Sequence, residues 1–202
     1  MSLPEPSRDP RMESVERLFA ACEAEPLHSR HVAALSEQIF EALMPLHRYG
    51  NEERFWLMAG AYLHDIGWME GGKGHHKRSA QIILSSPMLT LGMRDRSIIA
   101  NIARYHRKAL PSPDHAMYAA LSVSDRHVVD RLAGMVRLAD GLDAYHDSTV
   151  TVIRAESLRN GRMRLAIGGQ PAWRQFTVDL DSKSALLERA FGRDLEITWP
   201  RR

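Results

Sequence analysis

The chain has 202 residues, with 27 Lys and Arg against 25 Asp and Glu, a formal net charge of +2. Its 44% hydrophobic and 26% charged content is that of a globular chain rather than a disordered one. A chain of this size buries roughly 70% of its unfolded surface, so a core forms without covalent staples. A single cysteine, Cys22, excludes an intramolecular disulfide framework and a thiolate-rich zinc site, so any metal must rely on imidazole and carboxylate. No apolar run approaches the length of a membrane span, and the polar, Pro-rich start lacks an apolar signal segment. A cytoplasmic protein without membrane contact is expected.

Residues 1–10 read as a loose tail. Val15, Leu18, Phe19 and Cys22 then recur at helical spacing, and Pro26 is expected to end that helix. A second helix should begin near Ser29 and carry Val32, Leu35, Ile39, Leu43 and Leu46. After the Tyr49-Gly50-Asn51 turn, a third helix runs from about Glu52 to Asp65, apolar on several sides and therefore central. Gly67, Gly71, Gly72 and Gly74 make 66–74 a loop. Further helices are expected over about 75–86 and 94–107. Pro111 and Pro113 mark a loop, and a long helix spans about 125–145.

From residue 149 the period changes. Residues 149–157 are β-branched and roughly alternating, and Asn160-Gly161 is a strong hairpin signal. Met163, Leu165 and Ile167 alternate after it, as do Phe176, Val178 and Leu180. Ser182 is a suitable N-cap for a short helix over 183–191, closed by Gly192. Leu195, Ile197 and Trp199 alternate again. The expected architecture is mainly α: a helical domain over 11–147 and a small α+β subdomain over 148–202.

Several polar residues stand where helices should be apolar or should end: His31, His64-Asp65, the pair His75-His76, His106 and Asp140. A buried Asp is costly unless paired or coordinating. Asp65 and Asp140 lack an obvious local Arg, and a shared cation satisfies both. The bland alternative is a polar helix end with no metal. His31 is preferred to His28 because Val32 and Leu35 give it a core-facing context. Asp140 is preferred to Asp143, which could pair with a basic residue instead. Between Lys73 and Lys108 the chain carries eight basic residues and one acid. Of these, Lys77, Arg107 and Lys108 flank candidate histidines, as a rim for a phosphate would. Aromatic interleaving is missing, so nucleic acid is not an expected partner.

The order His31, His64-Asp65, His75, His106, Asp140 resembles the HD superfamily of metal-dependent phosphohydrolases, in the pattern of its two-metal members. Four stretches carry a closer resemblance. They are His64-Asp65-Ile66-Gly67, Gly74-His75-His76-Lys77-Arg78-Ser79, Ala103-Arg104-Tyr105-His106-Arg107-Lys108 and Arg137-Leu138-Ala139-Asp140-Gly141-Leu142-Asp143. With Phe191-Gly192-Arg193-Asp194-Leu195-Glu196-Ile197, they resemble the C-terminal HD region of the exopolyphosphatase/guanosine pentaphosphatase family. The likeness covers about residues 15–199. That family's catalysis lies in an actin-like domain with glycine-rich phosphate loops. Nothing similar occurs in this sequence, so polyphosphatase activity of that kind is not expected. Trp68 stands where several two-metal HD phosphodiesterases have a phosphate-binding Lys, which argues against their cyclic-dinucleotide specificity.

The resemblance implies an HD-type helical bundle with one or two divalent ions (Mn, Mg, Fe, Co or Ni) on His31, His64, Asp65, His75, His106 and Asp140. His75 is favoured over His76 because its spacing to Ser79 is similar to that of two-metal members. Asp65 would bridge the ions, and a metal-bound hydroxide would attack phosphorus in line. Lys77, Arg107 or Lys108 would stabilise the developing charge. The substrate would be a nucleotide or another small phosphoester or phosphoanhydride, and a homodimer remains open. A non-catalytic phosphate-binding or regulatory module of the same fold is the alternative. An oxygenase with a di-iron centre on the same ligands is a third reading.

Overall fold

A computed structural model describes residues 9–22, 25–169 and 180–199. In chain order the helices are α1 (Pro10–Ala21), α2 (Pro26–His47), α3 (Asn51–Leu63), α4 (His75–Ser85), α5 (Met93–Tyr105), α6 (Ala116–Ala119), α7 (Val123–Leu142) and α8 (Leu180–Phe191). A 3-10 turn over Ile66–Glu70 joins α3 to α4. The strands are β1 (Val150–Ser157), β2 (Arg162–Gly169) and β3 (Asp194–Thr198). The protein is thus mainly helical with a small C-terminal sheet. Among the described residues no helix is long and apolar enough to cross a membrane.

α7 is the hub. From Leu132 to Ala139 every residue is buried, because α2, α3, α5 and α8 all pack on it. Leu35, Ile39 and Leu43 of α2, Leu57 and Leu63 of α3, and Ile98, Ile99 and Ile102 of α5 fill the space around it, each with no exposed surface. The sheet runs in the order β1-β2-β3, with β1 and β2 antiparallel and β2 and β3 parallel. Asn160 (φ 51°) and Gly161 (φ 72°) both take the left-handed conformation that a two-residue hairpin of this twist needs. Met163, Leu165 and Ile167 point inward toward the core that includes Leu186 and Leu187 of α8.

Two devices fasten the sheet end of the chain to the helices. The Gln38 amide of α2 accepts from Ile153 N (2.8 Å) and donates to Thr151 O (3.3 Å), so it pairs with the β1 edge as a strand would. On α7, Gly134 and Gly141 lie two turns apart. A Cβ at Gly134 would meet the Leu187 backbone at 2.9 Å, so α8 can approach this closely only because the side chain is missing.

Several expected boundaries move. Pro26 opens α2 instead of ending α1, because a proline at the first helical position gives up no hydrogen bond. The 66–74 loop contains the 3-10 turn, and α6 interrupts the loop after Pro113. α7 stops at Leu142, where the Asp143 amide bonds back to Ala139 O. α8 begins at Leu180, so Ser182 sits inside its first turn rather than capping it. The alternation at Phe176 and Val178 lies outside the described residues, as does most of the 1–10 tail.

Candidate metal centre

Three helices bring their carbonyl ends to one place. His64 caps the C-terminus of α3, His106 caps that of α5, and Asp140 lies in the last turn of α7. The negative ends of three helix dipoles therefore favour a cation between them. The first turn of α2 contributes His28, and the first residue of α4 contributes His75.

The histidines are oriented by one repeated device. His64 Nδ1 donates to Ala61 O (2.6 Å), His106 Nδ1 to Ala103 O (2.6 Å) and His75 Nδ1 to Gly72 O (2.8 Å). Each acceptor lies three residues back, and for His64 and His106 it is one of the spare carbonyls of a helix's last turn. His28 Nδ1 donates instead to Asp143 Oδ2 (2.7 Å), and Asp143 Oδ1 accepts from Ser148 N (2.9 Å). With Nδ1 donating outward, each Nε2 is turned toward the centre, where it can offer a lone pair to a metal once it carries no proton.

Asp65 sits in the middle. Its Oδ2 lies 3.4 Å from His64 Nε2 and 4.0 Å from His28 Nε2. Its Oδ1 lies 3.1 Å from His75 Nε2 and 3.4 Å from His106 Nε2. Asp140 Oδ1 lies 3.5 Å from His28 Nε2 and 3.8 Å from His64 Nε2. Most of these separations are too long for good hydrogen bonds. His28 Nε2, His64 Nε2 and Asp65 Oδ1 are buried and find no hydrogen-bond partner among the described residues. Among the described residues two groups could hold a metal ion, His28/His64/Asp140 and His64/Asp65/His106, each with ligating atoms within 4.8 Å of one another. Orphaned lone pairs facing buried carboxylates fit a cation.

Charge in the cluster is displaced accordingly. Burial works against ionised Asp65, yet His64, His75 and His106 outweigh it and hold the carboxyl well below its usual range. Asp140 is also lowered against the effect of burial, chiefly by His28. Burial opposes protonation of His28, but Asp140 and Asp143 push it up to about 9. His106 goes the other way, down to about 3, chiefly through burial.

The structure brings His64, Asp65, His106 and Asp140 into the two groups and sets His75 against Asp65, though in neither group. It brings His28 rather than His31. His28 is 2% exposed and lies on the buried stripe with Val32, Leu35 and Ile39. His31 falls off that stripe, is half-buried and belongs to neither metal-competent group. Asp143 is not a rival to Asp140; it pairs with a basic residue, as the sequence reading allows, and that residue is His28. His146, which the sequence left without a role, stacks on the His28 ring (3.7 Å, 9°) and reaches the Glu25 carboxylate.

Among the basic residues, Arg107 Nη1 donates to His75 Nε2 (3.2 Å). Lys77 is exposed. Burial first, then the charges of His75, Arg107, Arg104 and Lys77, lower neighbouring His76 to about 4, so it stays neutral. Lys108 is exposed and enters through its backbone, with its carbonyl accepting from Arg137 Nη2 (3.0 Å). The same buried guanidinium reaches Tyr105 O (3.4 Å) and Ser182 O (3.3 Å), tying the end of α5 to α8. The half-exposed Trp68 ring stacks on His75 (4.7 Å, 23°). Lys183 of α8 completes the surroundings, with Nζ 2.5 Å from Asp140 Oδ2. Nothing in the local sequence pattern marks Lys183, since its partner lies 43 residues away.

Residues 11–181 match the family described as Ppx/GppA phosphatase, domain III. No curated protein matches the chain.

Proposed function

Since the chain belongs to the Ppx/GppA phosphatase domain III family, we propose that it is a metal-dependent phosphohydrolase of the HD type. Its substrate would be a nucleotide or another small phosphoester or phosphoanhydride. The observation that carries this reading is the division of Asp65. One oxygen faces His64 and His28 and the other faces His75 and His106, as a carboxylate bridging two cations would. His28, His64, Asp65 and Asp140 would hold one ion, and Asp65, His75 and His106 the other. Mixed imidazole and carboxylate donors suit Mn, Fe, Co or Ni. Bound divalent ions supply Lewis-acid polarisation of a phosphoryl oxygen and make water acidic near neutral pH.

The chain's own groups do the rest. Arg107, beside His75, offers a planar fork to phosphate oxygens. Lys77 raises the positive potential over the same edge, and neutral His76 can donate or accept a hydrogen bond there. The half-exposed Trp68 ring stacks on His75.

A second reading, a phosphate-binding or regulatory module without turnover, draws support from Arg107, whose guanidinium already supplies a cation at His75 Nε2. Phosphate release from a panel of nucleotides and phosphoesters, with Mn, Co, Mg and Ni each supplied, separates the two. The hydrolase reading expects metal-dependent release that His64→Ala abolishes. Binding of panel members without release favours the module, and release that survives His64→Ala places the chemistry elsewhere.

A further inference from the structure

We infer that α8 completes the metal centre. Lys183 is a positioning residue that acts through Asp140 and strengthens the hold of His28, His64 and Asp140 on their ion. This inference rests on the metal-site reading above.

Asp140 has its two oxygens in different roles. Oδ1 faces His28 and His64, and Oδ2 is held by Lys183 Nζ at 2.5 Å. With Oδ2 tied down, the carboxylate plane is fixed and Oδ1 stays turned inward. The side chain of Asp140 is 15% exposed and that of Lys183 21%, so the pair is only partly screened by water. A lysine ammonium repels a dication, but here it sits on the far side of the carboxylate from the imidazoles. On this inference, orienting the ligand outweighs the repulsion, in the way hydrogen-bonded partners behind ligating carboxylates orient them.

α7 is shaped to deliver this lysine. The Lys183 stem crosses Gly141, where a Cβ would come within 2.7 Å of Lys183 Cγ. One turn back, Arg137 Nε holds Ser182 O, the residue just before Lys183. A further turn back, Gly134 lets the α8 backbone approach. Gly134, Arg137 and Gly141 share a face of α7, and together they set α8 at the depth and register from which Lys183 reaches Asp140. A salt bridge that only fastened α8 would account for the ion pair. It would not act differently on two ions in one cluster.

The test is a Co(II) titration of the chelator-stripped full chain, read by absorption and by calorimetry, for wild type, Lys183→Met and Lys183→Arg. Methionine keeps the stem over Gly141 and removes the charge. In Lys183→Met one equivalent should bind about 10- to 100-fold more weakly while the other is unchanged. Lys183→Arg should restore most of the loss. Equal binding in Lys183→Met and wild type, equal weakening of both equivalents, or no recovery with arginine overturns the inference. Should Lys183→Met fail to fold, Gly141→Ala keeps the ammonium but displaces its stem. It should weaken the same equivalent, and wild-type binding there also overturns the inference. A wild type that binds no cobalt overturns the metal reading itself, which is a different result from an unaffected variant.

Discussion

Asp143→Asn isolates the contribution of a residue that touches no ion. Asp143 is 1% exposed, and both of its oxygens accept, one from His28 Nδ1 at 2.7 Å and the other from Ser148 N at 2.9 Å. An asparagine has the same shape but one acceptor and one donor. Whichever way the amide turns, its NH2 faces a donor, either the imidazole or the Ser148 amide. If it faces His28, the ring must rotate or switch tautomer, and Nε2 no longer offers a lone pair to the cluster. Losing a carboxylate behind a ligating histidine costs about 10- to 100-fold in metal affinity, equivalent to about 1.4–2.7 kcal/mol. A buried donor left unpaired costs about 1–3 kcal/mol of folding stability even without metal. Metal titration of the stripped protein measures the first effect, and thermal unfolding in chelator the second. Affinity and chelated stability both unchanged in Asp143→Asn would refute the assignment of Asp143 as the group that sets His28.

Gly67→Ala should misplace His75, because a Cβ there would lie 2.4 Å from His75 O and 2.6 Å from Ser79 N. The expected loss is about 1–3 kcal/mol of stability with weakened metal loading, and unfolding curves matching wild type would show that the 3-10 turn yields freely. His47 supplies a pH test away from the centre. Burial lowers it below 6.5, while Nε2 donates to Phe40 O and Nδ1 accepts from Tyr49 N. The folded state thus binds fewer protons than the unfolded chain just below pH 6.5. This contribution to stability is full above that pH and is lost as pH falls toward the depressed folded value. In the chelated protein, His47→Gln should flatten the acid limb of stability against pH relative to wild type, and parallel limbs would contradict the assignment.

Most of the cluster was legible in the sequence because its members interrupt apolar patterns. His64-Asp65 and His106 end helices, and Asp140 sits between Ala139 and Gly141 on the most buried helix. The order of these interruptions also carried the family resemblance. His28 escapes the sequence pattern for a physical reason. Val32 and Leu35 give His31 a core-facing context in the sequence, but the helix begins at Pro26, and the buried stripe runs 28, 32, 35, 39. Once the start of α2 is known, the choice follows from helical geometry. Lys183 and Arg137 were not legible in their roles. Each acts across a long sequence separation, and their positions depend on how closely Gly134 and Gly141 let α8 approach. In the sheet, Asn160-Gly161 was readable because its turn demands two positive φ angles that few residue pairs accept. The docking of β1 by Gln38 was not, since a glutamine on a helix surface ordinarily meets water.

The most direct measurement is metal per chain by elemental analysis, on purified wild type and Asp65→Ala. Asp65 is the one group shared by both proposed ion positions, so its loss should empty both. Two divalent ions per wild-type chain are expected after loading with Mn, Fe, Co or Ni. Thermal stability should rise on loading, and a folded Asp65→Ala should hold little metal and gain little stability. A wild type that stays metal-free under these conditions, or an Asp65→Ala protein that loads as fully as wild type, would contradict the two-ion centre.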